Sequence, residues 1–218
     1  MVNLGDIVPN FSAQTTQGPI NFHEAIEGSW AILFSHPSDY TPVCTTELGG
    51  FARHQAEFDK RGVRVFALSC NDVESHTGWS CDIEAAFGSS PSFPIIADPS
   101  RDIAHLYGML DPVAKSSDGV PLTCRAVFMI GPDKKLRLSI LYPATTGRNF
   151  DEILRVIDSL QITSKHPIAT PLGWKPGDEV IIQPSLSEEI AHEKFPEHRV
   201  VDLPSGKKYL RYTQAPRD

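Results

Sequence analysis

Residues 30–50 read WAILFSHPSDYTPVCTTELGG, and this stretch joins three kinds of local pattern. Trp30 to Ser35 is a short apolar run of the kind that forms a buried strand. The prolines at positions 37 and 42 stiffen the segment that follows, and a helical pattern runs from Thr45 to Lys60. Cys44 therefore falls in the first helical turn, at the carboxyl end of a strand. That is a favoured place for an active site in an α/β protein.

This alternation of strand and helix continues along the first two-thirds of the chain. Five segments read as strands: Trp30 to Ser35, Val63 to Ser69, Pro94 to Ala97, Ala126 to Ile130 and Leu136 to Leu141. Four read as helices: Thr45 to Lys60, Val73 to Phe87, Asp102 to Met109 and Asn149 to Gln161. Several strands are continuously apolar, which suits a sheet covered on both faces. The pattern predicts an α/β domain, a mixed central sheet flanked by helices in three layers.

The composition changes near residue 165. Seven of the 18 prolines fall in the last 52 residues, where the one helical candidate is Ser187 to Phe195. Such a segment is too short and too rich in proline to bury a large core alone. We therefore expect two parts, a main domain over residues 1–165 and a small C-terminal domain over residues 166–218.

Charge and hydropathy exclude several classes of function. The 218 residues carry 20 Lys and Arg against 27 Asp and Glu, a net charge of −7, which argues against a nucleic acid partner. No apolar run approaches the ~20 residues that span a bilayer, and no basic and apolar leader opens the sequence. We expect a cytoplasmic protein without integral membrane segments.

The four cysteines, at positions 44, 70, 81 and 124, are too irregularly spaced for a zinc site. We expect no metal and no bound cofactor, and we expect Cys70, Cys81 and Cys124 to pack as small apolar side chains. A cysteine thiol is mostly protonated at pH 7, and a helix N-terminus contributes only about 0.3–1 kcal/mol toward the thiolate. A reactive Cys44 therefore needs a nearby cation. Arg125 is the arginine with the most unusual position, because it stands at the start of an apolar strand and arginine is rarely buried without a purpose.

The same residues resemble the 1-Cys peroxiredoxins, thiol peroxidases with a thioredoxin-like fold. The signature P-x-x-x-T-x-x-C appears as Pro37, Thr41 and Cys44, extended as TPVCTTELG. The resemblance continues through DPSRDIAHLYGMLDP, GPDKKLRLSILYPATTGRNFDEILRVIDSL and PSGKKYLRY, so it covers essentially the whole chain. It implies that Cys44 is the peroxidatic cysteine, Thr41 its hydroxyl partner and Arg125 the cation beside the thiolate. Pro37 would close the pocket and limit overoxidation.

Further residues and partners follow from the resemblance. Glu47 and Arg148 match positions that support active-site hydrogen bonding, and His36 matches a histidine near the pocket. The substrates would be hydrogen peroxide and organic hydroperoxides, phospholipid hydroperoxides among them, reduced in antioxidant defence. The C-terminal domain would cross to a second copy and form a homodimer.

The sulfenic acid left on the peroxidatic cysteine must be reduced by another thiol. No cysteine follows Cys124 in the remaining 94 residues, so an external thiol is implied. The family suggests glutathione, with a glutathione transferase as a candidate carrier, or another thiol reductant. Cys81 as an internal resolving thiol is an alternative.

Two other functions compete with a peroxidase. Some members of the family are described as phospholipases A2, and His23, Ser29 and Asp133 stand at the matching Ser/His/Asp positions. However, the surrounding EGSWA lacks the glycines of a nucleophile elbow, and Ser29 precedes a strand instead of following one. The third hypothesis is a thioredoxin-fold binding or chaperone module in which Cys44 only packs.

Overall fold

The structure is a computed structural model, and it describes residues 2–216. The chain divides into two compact units, Met1–Phe150 and Asp151–Asp218. The composition thus changes later in the chain than this division, and one helix lies between residue 150 and residue 165. Among the described residues, no helix is both long and apolar enough to cross a membrane.

The first unit is built on one seven-stranded sheet. In chain order its elements are β1 (Ser12–Thr15), β2 (Gly18–Asn21), α1 (Phe22–Ala25), β3 (Trp30–Ser35), α2 (Pro42–Lys60), β4 (Val63–Ser69), α3 (Val73–Phe87), β5 (Ile95–Ala97), α4 (Asp102–Tyr107), β6 (Leu110–Lys115), β7 (Pro121–Thr123), β8 (Arg125–Ile130) and β9 (Leu136–Tyr142). The strand order is β2-β1-β5-β4-β3-β8-β9, and β6 pairs with β7 in a separate hairpin. Since β3 pairs in parallel with β4 and antiparallel with β8, the sheet is mixed, as predicted.

Successive side chains of β3 point to opposite faces of the sheet, and helices cover both faces. Phe34 stacks on Phe51 of α2, with ring centroids 3.9 Å apart. Leu33 belongs instead to a buried cluster with Phe22 of α1 and Tyr107 of α4. The predicted three-layer arrangement, with a thioredoxin-like mixed sheet flanked by helices, is therefore confirmed.

Helix α2 lies close to its neighbours because it carries two adjacent glycines. A Cβ atom on Gly50 would come 2.5 Å from the Phe150 ring, and one on Gly49 would come 2.5 Å from the ring of Phe87. Neither distance is compatible with packed atoms, so these positions require glycine unless the rings move. Gly49 and Gly50 therefore allow α2 to pack closely against these two rings.

All five predicted strands and all four predicted helices of the main domain are present. Trp30–Ser35, Val63–Ser69 and Val73–Phe87 have the predicted bounds, and the other six elements are shifted at one or both ends. Helix α2 begins at Pro42, three residues before the helical pattern, because proline suits the first helical position. Patterning missed the hairpins β1–β2 and β6–β7. Their strands are partly exposed and interrupt apolar residues with polar residues or proline, so no apolar run marks them.

The second unit is a small α+β structure. It contains most of α5 (Phe150–Lys165), followed by β10 (Ile168–Ala169), β11 (Val180–Ile182), α6 (Glu188–Lys194), β12 (Arg199–Val200) and β13 (Arg211–Thr213). The four strands form an antiparallel sheet in the order β10-β11-β13-β12. Ile168, Trp174 and Val180 form its small buried cluster. The expected helix near the end is α6, with Ser187 as its N-cap.

Candidate active site

Cys44 is the third residue of α2, and its side chain is fully buried. Thr41 is the N-cap of this helix, in an extended conformation. The residue before it, Tyr40, has a φ of 54°, in the left-handed region that non-glycine residues rarely adopt. This sharp turn carries the chain from the end of β3 into α2. The sulfur is thus in the first helical turn, as the sequence predicted.

Arg125, the first residue of β8, brings a cation to the sulfur. Its side chain is 3% exposed, and its Nη1 lies 3.3 Å from Cys44 Sγ. The same nitrogen donates to Glu47 Oε2 at 2.8 Å, and Nε donates to the Ala144 carbonyl at 2.9 Å. Held by these acceptors, the guanidinium is fixed beside the thiol. The contact joins residues 81 positions apart, so it depends on the pairing of β8 with β3.

Glu47 lies one helical turn after Cys44 and links two arginines. Arg148 donates to both oxygens of this carboxylate, from Nε at 2.9 Å and from Nη2 at 2.6 Å, and its backbone N–H donates at 2.8 Å. Burial raises the pKa of Glu47, but Arg148 and then Arg125 outweigh it and hold the pKa below its ordinary value. Glu47 is therefore ionised. Two guanidiniums against one carboxylate leave one positive charge that a Cys44 thiolate would balance.

Arg148 also fixes the site to the sheet. Its Nη1 donates to the backbone carbonyls of Ser35 at 2.9 Å and Ala126 at 2.8 Å, so it joins the ends of β3 and β8. Its guanidinium lies over the Phe34 ring, 5.0 Å from the centroid. Glu47 and Arg148, which were both predicted to support the site, are thus hydrogen-bonded directly to each other.

The Thr41 hydroxyl does not point its hydrogen at the sulfur. It donates to the Ser38 carbonyl at 2.8 Å, and the Thr41 carbonyl accepts from the backbone N–H of Thr45 at 3.0 Å. The hydroxyl oxygen thereby keeps its lone pairs for an incoming donor. Pro37 is buried at the start of the same loop.

His36, the remaining predicted site residue, belongs to a buried polar cluster with Asp39 and His76. His36 Nε2 lies 2.7 Å from Asp39 Oδ1, and His76 Nδ1 lies 2.7 Å from Asp39 Oδ2. Of the described residues, these three are the set of His, Cys, Asp and Glu whose ligand atoms converge enough to hold a metal. However, 2.7 Å is a hydrogen-bond distance, which requires a proton between nitrogen and oxygen where a metal requires both lone pairs.

Sequence reasoning missed Asp39 and His76. Asp39 lies inside the quoted stretch, but one acidic residue in a loop gives no signal of its own. His76 lies in the first turn of α3, and no spacing rule connects it with the loop after β3. Asp39 is only three residues from His36, whereas the approach of His76 to this loop is decided by packing.

The other three cysteines differ from one another, and all are free thiols. Burial raises the pKa of Cys124, and it raises the pKa of Cys70 to about 11, so both suit the expected packing role. For Cys81 that expectation is wrong, because this residue is exposed on α3. The Cys81 side chain therefore contacts solvent and does not pack in the core.

The residues of the phospholipase alternative have other partners. His23 Nε2 contacts the Val8 carbonyl at 2.8 Å, and Ser29 Oγ contacts the Glu27 carbonyl at 3.4 Å. Asp133 forms an ion pair with Arg137 at 2.6 Å. A nucleophilic serine needs a hydrogen bond to its base, so this arrangement does not favour lipid hydrolysis.

Family comparisons agree with the fold. The AhpC/TSA family matches residues 4–139, and the C-terminal domain of 1-Cys peroxiredoxin matches residues 159–198. The chain belongs to the peroxiredoxins and is a thiol-dependent peroxidase of the 1-Cys type.

Individual relatives resemble the chain over nearly its whole length. Peroxiredoxin-6 of Mus musculus is 59% identical over 98% of this chain and 97% of its own length, and peroxiredoxin-6 of Homo sapiens is 57% identical with the same coverage. A crystal structure of a cysteine-to-serine mutant of the peroxiredoxin 6 of Arenicola marina superposes with a TM-score of 0.98 at 53% identity, covering 100% of both chains. A yeast mitochondrial 1-Cys peroxiredoxin, studied for thiol resolution by the glutathione and thioredoxin systems, gives a TM-score of 0.91 at 47% identity over 98% of this chain and 100% of its own.

Proposed function

We propose that Cys44 is the peroxidatic cysteine and that it reduces hydrogen peroxide and organic hydroperoxides, including phospholipid hydroperoxides. The thiolate attacks one peroxide oxygen, so an S–O bond forms while the O–O bond breaks. The departing oxygen takes up a proton and leaves as water or an alcohol. Cys44 is oxidised to the sulfenic acid, and the peroxide is reduced.

The observation that carries this proposal is the 3.3 Å contact between Arg125 Nη1 and Cys44 Sγ. A fixed cation at the sulfur favours the thiolate, and it remains in place while negative charge moves onto the departing oxygen. Thr41 would accept a hydrogen bond from the peroxide O–H, since its own hydrogen is given to Ser38. Pro37, buried beside His36, would form a wall of the pocket.

An external thiol would complete the cycle, and no prosthetic group is needed. One thiol attacks the sulfenic acid, releases water and forms a mixed disulfide, and a second thiol releases Cys44 as the disulfide of the reductant forms. Cys70 and Cys124 are poor resolving thiols because burial raises the pKa of both. We propose glutathione as the reductant, with a glutathione transferase as its carrier.

The main test is peroxide consumption with glutathione or dithiothreitol as the reductant. Cys44→Ser should abolish turnover, whereas Cys81→Ser should retain it, because the external thiol attacks the Cys44 sulfenic acid directly. Equal turnover in Cys44→Ser and the wild type would contradict the proposal. Loss of turnover in Cys81→Ser alone would instead support internal resolution by Cys81.

We further propose a homodimer in the cytoplasm. Four free cysteines suit a reducing compartment, and the small buried cluster of Ile168, Trp174 and Val180 in the C-terminal unit suits a part that packs on a second copy. Analytical ultracentrifugation of the full chain and of a chain truncated after residue 168 tests the dimer. A dimeric truncated chain would contradict the role of the C-terminal domain.

A further inference from the structure

Asp39 is a buried carboxylate that gathers hydrogen bonds from two parts of the chain. His36 contacts Oδ1 at 2.7 Å, while His76 and Ser75, both from α3, contact Oδ2 at 2.7 Å. Both imidazoles are fully buried, and Asp39 is 4% exposed. The Asp39 backbone N–H donates to Asn71 Oδ1 at 3.1 Å, so the main chain is held as well. The loop before α2 is thus tied to the start of α3.

The two histidines carry different numbers of protons. His76 faces an acceptor at each ring nitrogen, Asp39 at Nδ1 and the Ile96 carbonyl at Nε2, 3.2 Å away. A backbone carbonyl cannot donate, so both nitrogens of His76 must hold hydrogen. His36 donates from Nε2 to Asp39, and its buried Nδ1 has no hydrogen-bond partner. His36 is then neutral, and its Nδ1 carries an unused lone pair.

The charges around these groups support that assignment. Burial lowers the pKa of His36, and the positive charges of His76 and Arg148 lower it further, against the opposing effect of Asp39. Although burial raises the pKa of Asp39, hydrogen bonds from His36 and His76 hold it below its ordinary value. Because Asp39 is ionised and His76 donates to an acceptor at each ring nitrogen, these two residues form an ion pair, and the unpartnered Nδ1 leaves His36 neutral.

We propose that Asp39 and His76 are positioning residues for the peroxidase reaction: their ion pair holds the loop that carries Thr41 and keeps His36 neutral beside Arg148. The inference rests on the proposed role of Cys44. Asp39 lies between the Ser38 carbonyl that binds the Thr41 hydroxyl and the strained Tyr40 that leads into α2. Trp79 of α3 also connects α3 to α2, because its Nε1 donates to Oγ1 of Thr45 at 3.2 Å.

Loss of the ion pair has a defined chemical consequence. Without His76, the Asp39 carboxylate keeps His36 and Ser75 as donors, and its charge is no longer balanced. A proton then binds more readily at the free Nδ1 of His36, which becomes a cation within the electrostatic influence of Arg148. This cation disturbs the Arg148–Glu47 pair. As the pH is lowered, the variant should therefore lose its activity at a higher pH than the wild type does.

The experiment measures the second-order rate constant for hydrogen peroxide against pH, in the wild type, His76→Leu, His76→Asn and the control His105→Asn. His105 is exposed on α4. His76→Leu should lose about tenfold to a hundredfold in rate, the scale of a displaced reacting group, and its acid limb should move to higher pH. His76→Asn restores one donor without the charge, so it should recover much of the rate at neutral pH but keep the shifted acid limb. An unchanged rate and profile in His76→Leu would overturn the proposal.

A second measurement needs no variant. In the ¹⁵N spectrum of the imidazoles of the wild-type protein at pH 7, both nitrogens of His76 should be protonated, and Nδ1 of His36 should not be. A neutral His76 would overturn the assignment even if every substituted chain misfolded. An inactive wild type with these protonation states would instead count against the proposed function, so the two failures are distinguishable.

Discussion

Arg125 and Glu47 meet through one hydrogen bond of 2.8 Å, and the nitrogen that makes it is also the one 3.3 Å from the Cys44 sulfur. The carboxylate therefore orients the cation instead of cancelling its effect on the thiol, since Arg148 supplies Glu47 with a second positive charge. The four side chains form one charge network whose balance is complete only when the thiol has lost its proton.

Arg125→Gln should lower the rate constant for peroxide by about 10²–10³, the effect of removing one fixed donor from a transition state. The neutral amide retains some hydrogen bonding but not the positive charge. Stopped-flow measurement of peroxide reduction checks this, with Arg53→Gln on the outer part of α2 as the control. A loss below threefold would show that Arg125 is not the activating cation.

Glu47→Gln should destabilise the fold by about 3–5 kcal/mol at pH 7, because it leaves two buried guanidiniums without their carboxylate. In the wild type the folded-state pKa of Glu47 lies below its ordinary value of 4.5. Its contribution is thus fully present above about pH 4.5 and is lost as the pH falls through the folded-state value.

Urea unfolding at pH 7 and at successively lower pH tests this. The wild type should lose more stability than Glu47→Gln over the acid range, so the two curves should converge. Parallel curves would mean that Glu47 does not contribute through its charge.

Gly50→Ala should lower the free energy of unfolding by about 1–3 kcal/mol, the usual cost of overpacking. The added methyl group would meet the Phe150 ring at 2.5 Å. Gly147→Ala is the matched control, because its Cβ would lie 3.7 Å from Val43, an ordinary contact. Equal stability of the two variants in urea unfolding would contradict the close packing of α2.

Alkylation should separate the remaining cysteines. In the Cys44→Ser background at neutral pH, iodoacetamide should modify Cys81, which is exposed, well before Cys70 and Cys124. Burial raises the pKa of Cys70 to about 11, so very little of its thiolate is present. Mass spectrometry of the native and urea-unfolded protein measures the order, and modification of Cys70 first would contradict it.

The sequence was informative where chemistry and local pattern coincide. Pro37, Thr41 and Cys44 stand within eight positions of one another, so a strand, a stiff loop and a helix start could be recognised together. Arg125 could be suspected because a charged residue opened an apolar strand. Asp39 and His76 gave no such signal, since their pairing depends on α3 packing beside the loop.

The sequence by itself determined the alternation of strands and helices, the position of Cys44 at a helix start and the absence of cysteine from the 94 residues after Cys124. Those features follow from the side-chain periods of strands and helices and from simple residue counts. Only the tertiary structure decided that Arg125 lies beside the sulfur with Glu47 linking it to Arg148, that the Thr41 hydroxyl donates to Ser38, and that Cys81 is exposed.

The physical reason is strand register. Phe34 pairs with Val127 in the antiparallel β3–β8 ladder, which sets Arg125 level with the loop that follows β3. A shift of one residue would turn Arg125 to the opposite face of the sheet, away from the thiol. Local pattern does not specify such a register, because it is chosen by the packing of both sheet faces at once.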